Sequence, residues 1–291
     1  MAETTSTVNA GKKNADLRQR LITALMLAGV VIAVLTFGSS GAWALLVTVF
    51  CLAAAWEGGR LSKISASMQV LQFACVGAVI LGLWVMFFKP AVVAPNVTVI
   101  DIFLMCTGVF WLVVAPMQLS VRRIQVLMPW GLIVWPLLIG AAWISAVTLR
   151  HAGVAFLVAV VVITIVADVA AYFVGRKWGR VKLAPSISPG KTREGAIGGI
   201  VAAGIWTALA CSYLGVTAGF VQALLAGLIG AFLGAFAVMG DLWESQLKRQ
   251  AGMKDSSNLL PGHGGVLDRI DAQLAVLPLA TMALSTVKTL W

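Results

Sequence analysis

Apolar positions in this chain fall into long unbroken blocks, near 21–37, 42–59, 69–88, 101–118, 128–148, 153–175, 195–214, 219–240 and 266–287. Each block approaches the roughly 20 apolar residues that a helix needs to cross a bilayer. None shows the period-two alternation of a half-buried strand. The breaks between them are short and turn-forming: Gly38-Ser39-Ser40-Gly41, Lys89-Pro90, Ala115-Pro116, and the segment from Pro185 to Pro189. The pattern predicts an all-α, polytopic membrane protein of about nine transmembrane helices. Residues 1–20 are polar and read as a disordered tail. Residues 21–150 form an N-terminal scaffold of about five helices, and 151–291 form a region of about four helices with two long polar loops. The first apolar block has a basic flank but no following cleavage site, so it is read as a spanning helix rather than a signal peptide.

Composition agrees with that class. The chain is 60% hydrophobic and 11% charged, with a mean hydropathy of +0.96, where a soluble domain would be nearer a quarter charged. The net charge of +10 tracks membrane orientation, so no nucleic-acid partner is expected. With the N-terminus inside, eighteen of the 21 Lys and Arg fall on inside segments, and only Lys89, Arg150 and Lys288 fall outside. That bias predicts a cytoplasmic N-terminus, an external C-terminus and two long cytoplasmic loops in a cell-membrane protein. Cys51, Cys75, Cys106 and Cys211 all lie in apolar runs without CxxC or neighbouring His, which argues against a disulfide framework or zinc site. The eleven tryptophans read as interfacial anchors and lipid-facing packing.

The acids are uneven. Seven of the eleven, Asp168, Glu194, Asp241, Glu244, Asp255, Asp268 and Asp271, lie in the C-terminal region, so that region is expected to carry the chemistry. Charge inside a membrane is costly and needs a use. Asp268 and Asp271 are three apart at the start of the last helix and share a face that could reach one cation. Arg269 points elsewhere, toward a phosphate. Asp241, with Ser245 four residues on, ends the preceding span and supplies a third carboxylate. Asp168 lies eight residues before Arg176, roughly 12 Å into the membrane at helical rise, with Tyr172 and Gly175 on its side. His263-Gly264-Gly265 could offer free amides to an anion. Gly190-Lys191-Thr192 invites a P-loop reading, but Pro185 stands where that motif requires glycine. Lys191 and Arg193 remain good phosphate ligands. Glu57, beside Trp56 and Arg60, reads as an interfacial anchor.

These motifs converge on one family. The run Ser245, Leu247, Lys248, Arg249, Lys254, Asp255, Ser257, Leu260, Pro261, His263, Gly264, Gly265, Asp268, Arg269 and Asp271 resembles, in register, the signature of the phosphatidate cytidylyltransferases, the CDP-diacylglycerol synthases. Asp168 with Tyr172 and Gly175, the run Ser188-Pro189-x-Lys191-Thr192-x-Glu194-Gly195, and Gly240-Asp241-Leu242-x-Glu244-Ser245 are similar to the family as well. Trp56-Glu57 departs from it, since the family order would be Glu-Trp.

The resemblance implies a nucleotidyltransferase of phospholipid biosynthesis that joins CTP and phosphatidic acid into CDP-diacylglycerol, releasing pyrophosphate. It implies Mg2+, with a second cation as an option, on Asp241, Asp268 and Asp271, and catalytic roles for these and for Lys248 and Arg249. It implies substrate contacts from Ser188, Lys191, Thr192, Arg193, Glu194, Lys254, His263, Gly264, Gly265, Arg269, Asp168, Tyr172 and Ser245, and a homodimer. Two other readings stay open from the residues alone. One is a CTP-dependent lipid kinase; the other is an ion-coupled transporter using the intramembrane acids.

Overall fold

The computed structural model describes residues 2–89, 97–121 and 130–290. Among them are α1 (Ala2–Phe37), α2 (Ser40–Leu61), α3 (Ala66–Phe88), α4 (Val97–Val109), a π-helical turn (Phe110–Val114), α5 (Ala115–Val121), α6 (Gly131–Ala152), α7 (Val154–Trp178), α8 (Arg193–Tyr213), α9 (Phe220–Ala251) and α10 (Leu267–Leu290). Among the described residues, seven helical stretches are long and apolar enough to cross a membrane. The other two expected spans are also helices. The apolar part of α1, Leu21–Phe37, is shorter than those seven, and α10 begins with Asp268, Arg269 and Asp271. Helix α1 starts at Ala2, where a disordered tail was expected. Residues 2–20 contain no proline, and extending an existing helix needs no new nucleus.

The all-α expectation misses one element. Lys182–Ala184 (β1) pairs antiparallel with Ser188–Thr192 (β2), with Lys182 opposite Thr192 and Ala184 opposite Ser188. The Pro185-Ser186 corner closes through an Ile187 N–H to Ala184 carbonyl bond of 3.1 Å. Pro189 is tolerated because this two-stranded hairpin has an unpaired edge.

Helices α7, α8 and α9 form a closely packed trio, bound by small residues. A Cβ on Gly199 would stand 2.6 Å from the Ala167 carbonyl oxygen, and one on Gly234 would stand 2.7 Å from Ala203 Cβ. Lipid supplies no hydrophobic drive between helices, so this backbone proximity is what holds them. Helix α6 is the buried centre, packed against α2, α3 and α10.

The tryptophans correct the interfacial expectation. Trp111, Trp135, Trp143 and Trp243 are fully buried core residues. Each indole N–H is satisfied inside the protein: Trp111 by the Leu274 carbonyl (3.0 Å), Trp135 by Ser62 Oγ (2.9 Å), Trp143 by Thr48 Oγ1 (2.9 Å) and Trp243 by Gln118 Oε1 (2.8 Å). Where no water reaches, a buried donor needs such a partner. Gly58 makes the Trp135 placement possible, since a Cβ there would sit 2.6 Å from the indole ring.

Candidate active site

Three helices bring carboxylates to one end of the bundle. Asp168 comes from α7, Asp241 from α9 and Asp271 from the first turns of α10. Helices α9 and α10 touch beside these acids: a Cβ on Gly240 would lie 2.8 Å from the Asp271 carbonyl oxygen. Asp271 feels the charges of Asp241, Asp168 and Lys248, and Asp168 feels those of Asp241 and Lys191. Lys191, carried in by β2, forms an ion pair with Asp241. Ser245 Oγ donates to the other Asp241 oxygen at 3.1 Å. A cavity of about 470 Å³ adjoins them, lined by Asp168, Tyr172, Gly175, Arg176, Lys182, Lys191, Thr192 and Val238 among others. Arg176 Nη1 donates to Tyr172 Oη at 3.3 Å, and both side chains are exposed in this opening. The arrangement puts cationic nitrogens around a cavity with the Asp168 carboxylate in its wall and Asp241 held behind Lys191, a setting for a polyphosphate and a hard cation.

Asp268 is placed differently from its neighbour one turn on. Its Oδ2 accepts from the backbone N–H of Ser256 (3.0 Å) and of Gly265 (2.8 Å), and its Oδ1 accepts from Lys248 Nζ (2.7 Å). Ser256 Oγ lies 3.1 Å from the same Oδ2. A carboxylate has about four lone-pair sites, so little capacity is left for a cation. Lys248 is also paired with Glu244, which is buried in α9. Lys248 therefore ties two acids of the protein together.

Among the described residues no three His, Cys, Asp or Glu side chains gather into a group that could hold a metal ion. Asp241 and Asp271 are less committed than Asp268: Asp241 accepts from Lys191 and from Ser245, and Asp271 Oδ1 accepts from the Ala272 N–H at 2.8 Å. A pair of this kind fits magnesium, which usually takes one or two carboxylates and fills its octahedron with water and substrate phosphate.

Several other sequence-singled residues have structural partners. Thr192 caps α8, its Oγ1 accepting from Gly195 N–H at 3.1 Å. Glu194 accepts from the backbone N–H of Arg180 (3.1 Å) and Val181 (3.2 Å), fixing the link from α7 to the hairpin. Arg249 Nε donates to the Ile187 carbonyl at 3.1 Å and clamps the hairpin turn to α9. Arg269 donates to the His263 carbonyl at 2.8 Å. The amide of Gly265 is taken by Asp268, so it is not a free anion donor. Gly264 has φ +83°, the left-handed turn that lets the loop double back. Ser188 is half-buried in β2, and Arg193 is exposed at the start of α8. Lys254 lines a separate cavity with Trp56, Arg60 and Asp255.

Glu57 is the residue whose role the sequence reading missed. It is no interfacial anchor: it is 0% exposed. Its carboxylate accepts from Ser257 Oγ (2.5 Å), from Val266 N–H (3.0 Å) and from Leu267 N–H (2.6 Å), and Ser256 Oγ lies 3.0 Å away. The single proton of Ser256 Oγ thus sits between Glu57 and Asp268 and serves one at a time. Glu57 satisfies the otherwise unpaired N–H groups at the start of α10 and matches the positive end of its dipole. One signal was available in the sequence: a lone acid near the end of an otherwise apolar span, which has to be paired if buried.

The fold and this site define a multi-span helical membrane protein whose acids and bases converge at one end of its C-terminal helices. The chain belongs to the cytidylyltransferase family, whose model matches residues 18–287. It is 36% identical over 270 residues to a phosphatidate cytidylyltransferase of Pseudomonas aeruginosa, an alignment covering 90% of this chain and 94% of that protein. A phosphatidate cytidylyltransferase of Haemophilus influenzae is 43% identical over 134 residues (43% of this chain, 44% of that protein). One of Bacillus subtilis is 48% identical over 111 residues (38% and 40%). The protein is therefore a membrane nucleotidyltransferase, and the transporter reading is set aside.

Proposed function

We propose that the protein transfers the cytidylyl group of CTP to phosphatidic acid, forming CDP-diacylglycerol and pyrophosphate at the cytoplasmic face of the cell membrane. The observation that carries this is the convergence of Asp168, Asp241, Asp271 and Lys191 beside a cation-lined cavity at the end of membrane helices. A lipid phosphate and a soluble triphosphate can meet only at such a boundary. Likeness to a phosphatidate cytidylyltransferase over 90% of the chain supports the choice of substrates, and the charge bias of the loops supports the cytoplasmic side.

In this reaction a phosphate oxygen of phosphatidic acid attacks the α-phosphorus of CTP, the bond from that phosphorus to the bridging oxygen breaks, and pyrophosphate leaves. The lipid phosphate is already ionised near neutral pH, so no strong base is needed. The protein's task is to position two anions and screen their repulsion. Lys191, Lys182 and Arg176 line the cavity where the triphosphate would lie. Lys191 exchanges its Asp241 partner for a phosphate oxygen. That exchange frees Asp241, which with Asp271 would hold magnesium. When bound, magnesium supplies charge neutralisation on the α-phosphate and the leaving group. Glu57 and Asp268 hold the loop and first turn of α10 so that Asp271 faces Asp241.

Purified protein in phosphatidate-containing nanodiscs tests this directly. Label in the α-phosphate of CTP is expected to enter the lipid, with pyrophosphate as co-product. Entry of γ-label alone would make the protein a CTP-dependent lipid kinase and overturn the proposal.

A further inference from the structure

Met253, Lys254, Asp255, Ser257, Asn258 and Leu259 of the signature segment line a second cavity, which has a chemistry of its own. It measures about 500 Å³ and lies between the end of α2 and the loop that follows α9. On α2, Leu45 (59% exposed), Val49 (59%), Trp56 (44%) and Arg60 follow one another at helical spacing along one face. In a membrane helix, an exposed apolar stripe faces lipid, and the tryptophan that ends it marks the headgroup level. Arg60 comes one turn beyond, its guanidinium 4.9 Å from the Trp56 ring centroid and its Nη1 3.5 Å from the Ser256 carbonyl oxygen. Lys254 lines the same cavity, is exposed, and makes no ion pair among the described residues. Leu259, 48% exposed, forms part of the cavity's rim.

We propose that this cavity is a headgroup subsite, in which Arg60 and Lys254 hold the phosphate of a membrane phospholipid while its chains lie along the Leu45–Val49–Trp56 stripe. Two cations above an aromatic, with an apolar stripe leading down from it, match an amphiphile with an anionic end. A guanidinium stacked on Trp56 keeps its outer N–H groups for an anion. The cavity wall reaches the anchored start of α10. A Cβ placed on Gly264 would lie 3.6 Å from the Asp255 carboxyl carbon, at the cavity wall, and 2.7 Å from Asp268 Oδ2. Asp255 therefore makes the inner end acidic, which keeps the phosphate at the Arg60–Lys254 end. That the lipid held there is the substrate on its way in rests on the function proposed above.

The test uses the full chain in phosphatidylcholine nanodiscs, with spin-labelled phosphatidic acid and spin-labelled phosphatidylcholine as probes. Wild-type protein is expected to immobilise the phosphatidic acid label in excess over the phosphatidylcholine label, and inorganic phosphate should not displace it. Arg60→Gln with Lys254→Gln should remove most of that excess. The double variant should also raise the KM for phosphatidic acid about tenfold, the worth of one charge-assisted contact, with the KM for CTP little moved. Lys254→Gln alone, on an exposed side chain with no ion pair among the described residues, gives a change in the same direction that misfolding cannot mimic. An unchanged lipid excess overturns the proposal. So does a KM shift for CTP alone, which would mark a nucleotide site, or displacement by inorganic phosphate, which would mark a free-anion site. Retained lipid selectivity in a protein that makes no CDP-diacylglycerol would support the subsite and refute the proposed reaction.

Discussion

The first turn of α10 has two sides that treat carboxylates in opposite ways. On one side Glu57 and Asp268 are saturated by Ser256, Ser257, Val266, Leu267, Gly265 and Lys248. On the other, Asp241 and Asp271 flank the close α9–α10 backbone contact at Gly240, with Lys191 as the cationic partner of Asp241. Burial alone does not separate a structural acid from a chemical one. What separates them is how many lone pairs are already committed, because a carboxylate that is full cannot bind a cation or respond to substrate. The saturated side provides rigidity, and the open side uses it.

The sharpest way to break this contrast is to neutralise the open side. Asp241→Asn and Asp271→Asn are each expected to lower CDP-diacylglycerol formation by about a thousandfold, the scale of losing one preorganised charge at a phosphoryl centre. The thermal midpoint of the detergent-solubilised protein should stay near that of wild type. α-Label transfer and a melting curve on the same preparations check both halves. Near-normal turnover in either variant would remove that residue from the site.

Neutralising the saturated side should give the reverse signature. Glu57→Gln replaces an acceptor-only oxygen with an NH2 group that must face donors, either the Ser257 hydroxyl and Val266 amide at Oε1 or the Ser256 hydroxyl and Leu267 amide at Oε2. The loss of charge-assisted bonds with a mismatched donor is expected to cost about 2–3 kcal/mol, seen as a lower thermal midpoint. Activity of the surviving folded fraction should fall less than in Asp271→Asn. A variant with wild-type stability and no turnover would move Glu57 from the saturated side to the open one.

How far the sequence could be read follows the same division. Helical membrane architecture was legible because bilayer thickness imposes block length on each span, and the acids of α7, α9 and α10 were legible because charge in an apolar block stands out. The hairpin was not, since its five-residue β2 contains Pro189 and Gly190 and has no alternating pattern to announce it. Four buried tryptophans read as surface anchors in the sequence because a lipid-facing and a core-facing indole look the same in one dimension. The roles of Asp268 and Asp271 could not be separated by spacing. That separation depends on Ser256 and Gly265, brought back by a loop whose course depends on Gly264 and on Glu57, some two hundred residues away in the chain.

The smallest expected effect sharpens the contrast at Thr192, which lies in the cavity wall yet is buried as the α8 cap. Thr192→Val keeps the shape and removes the hydroxyl that accepts from Gly195 N–H. As a cap, it should cost about 1 kcal/mol of stability and reduce turnover only a few-fold, through looser placement of Lys191 next door. Thr192→Ser, which restores the acceptor, should recover both. If the hydroxyl instead binds phosphate in the reaction, Thr192→Val will depress turnover steeply with an unchanged melting curve. Thr192 would then join Lys191, Lys182 and Arg176 among the groups that touch substrate. The pair of variants thus assigns the residue by which quantity moves: stability for a cap, rate for a ligand.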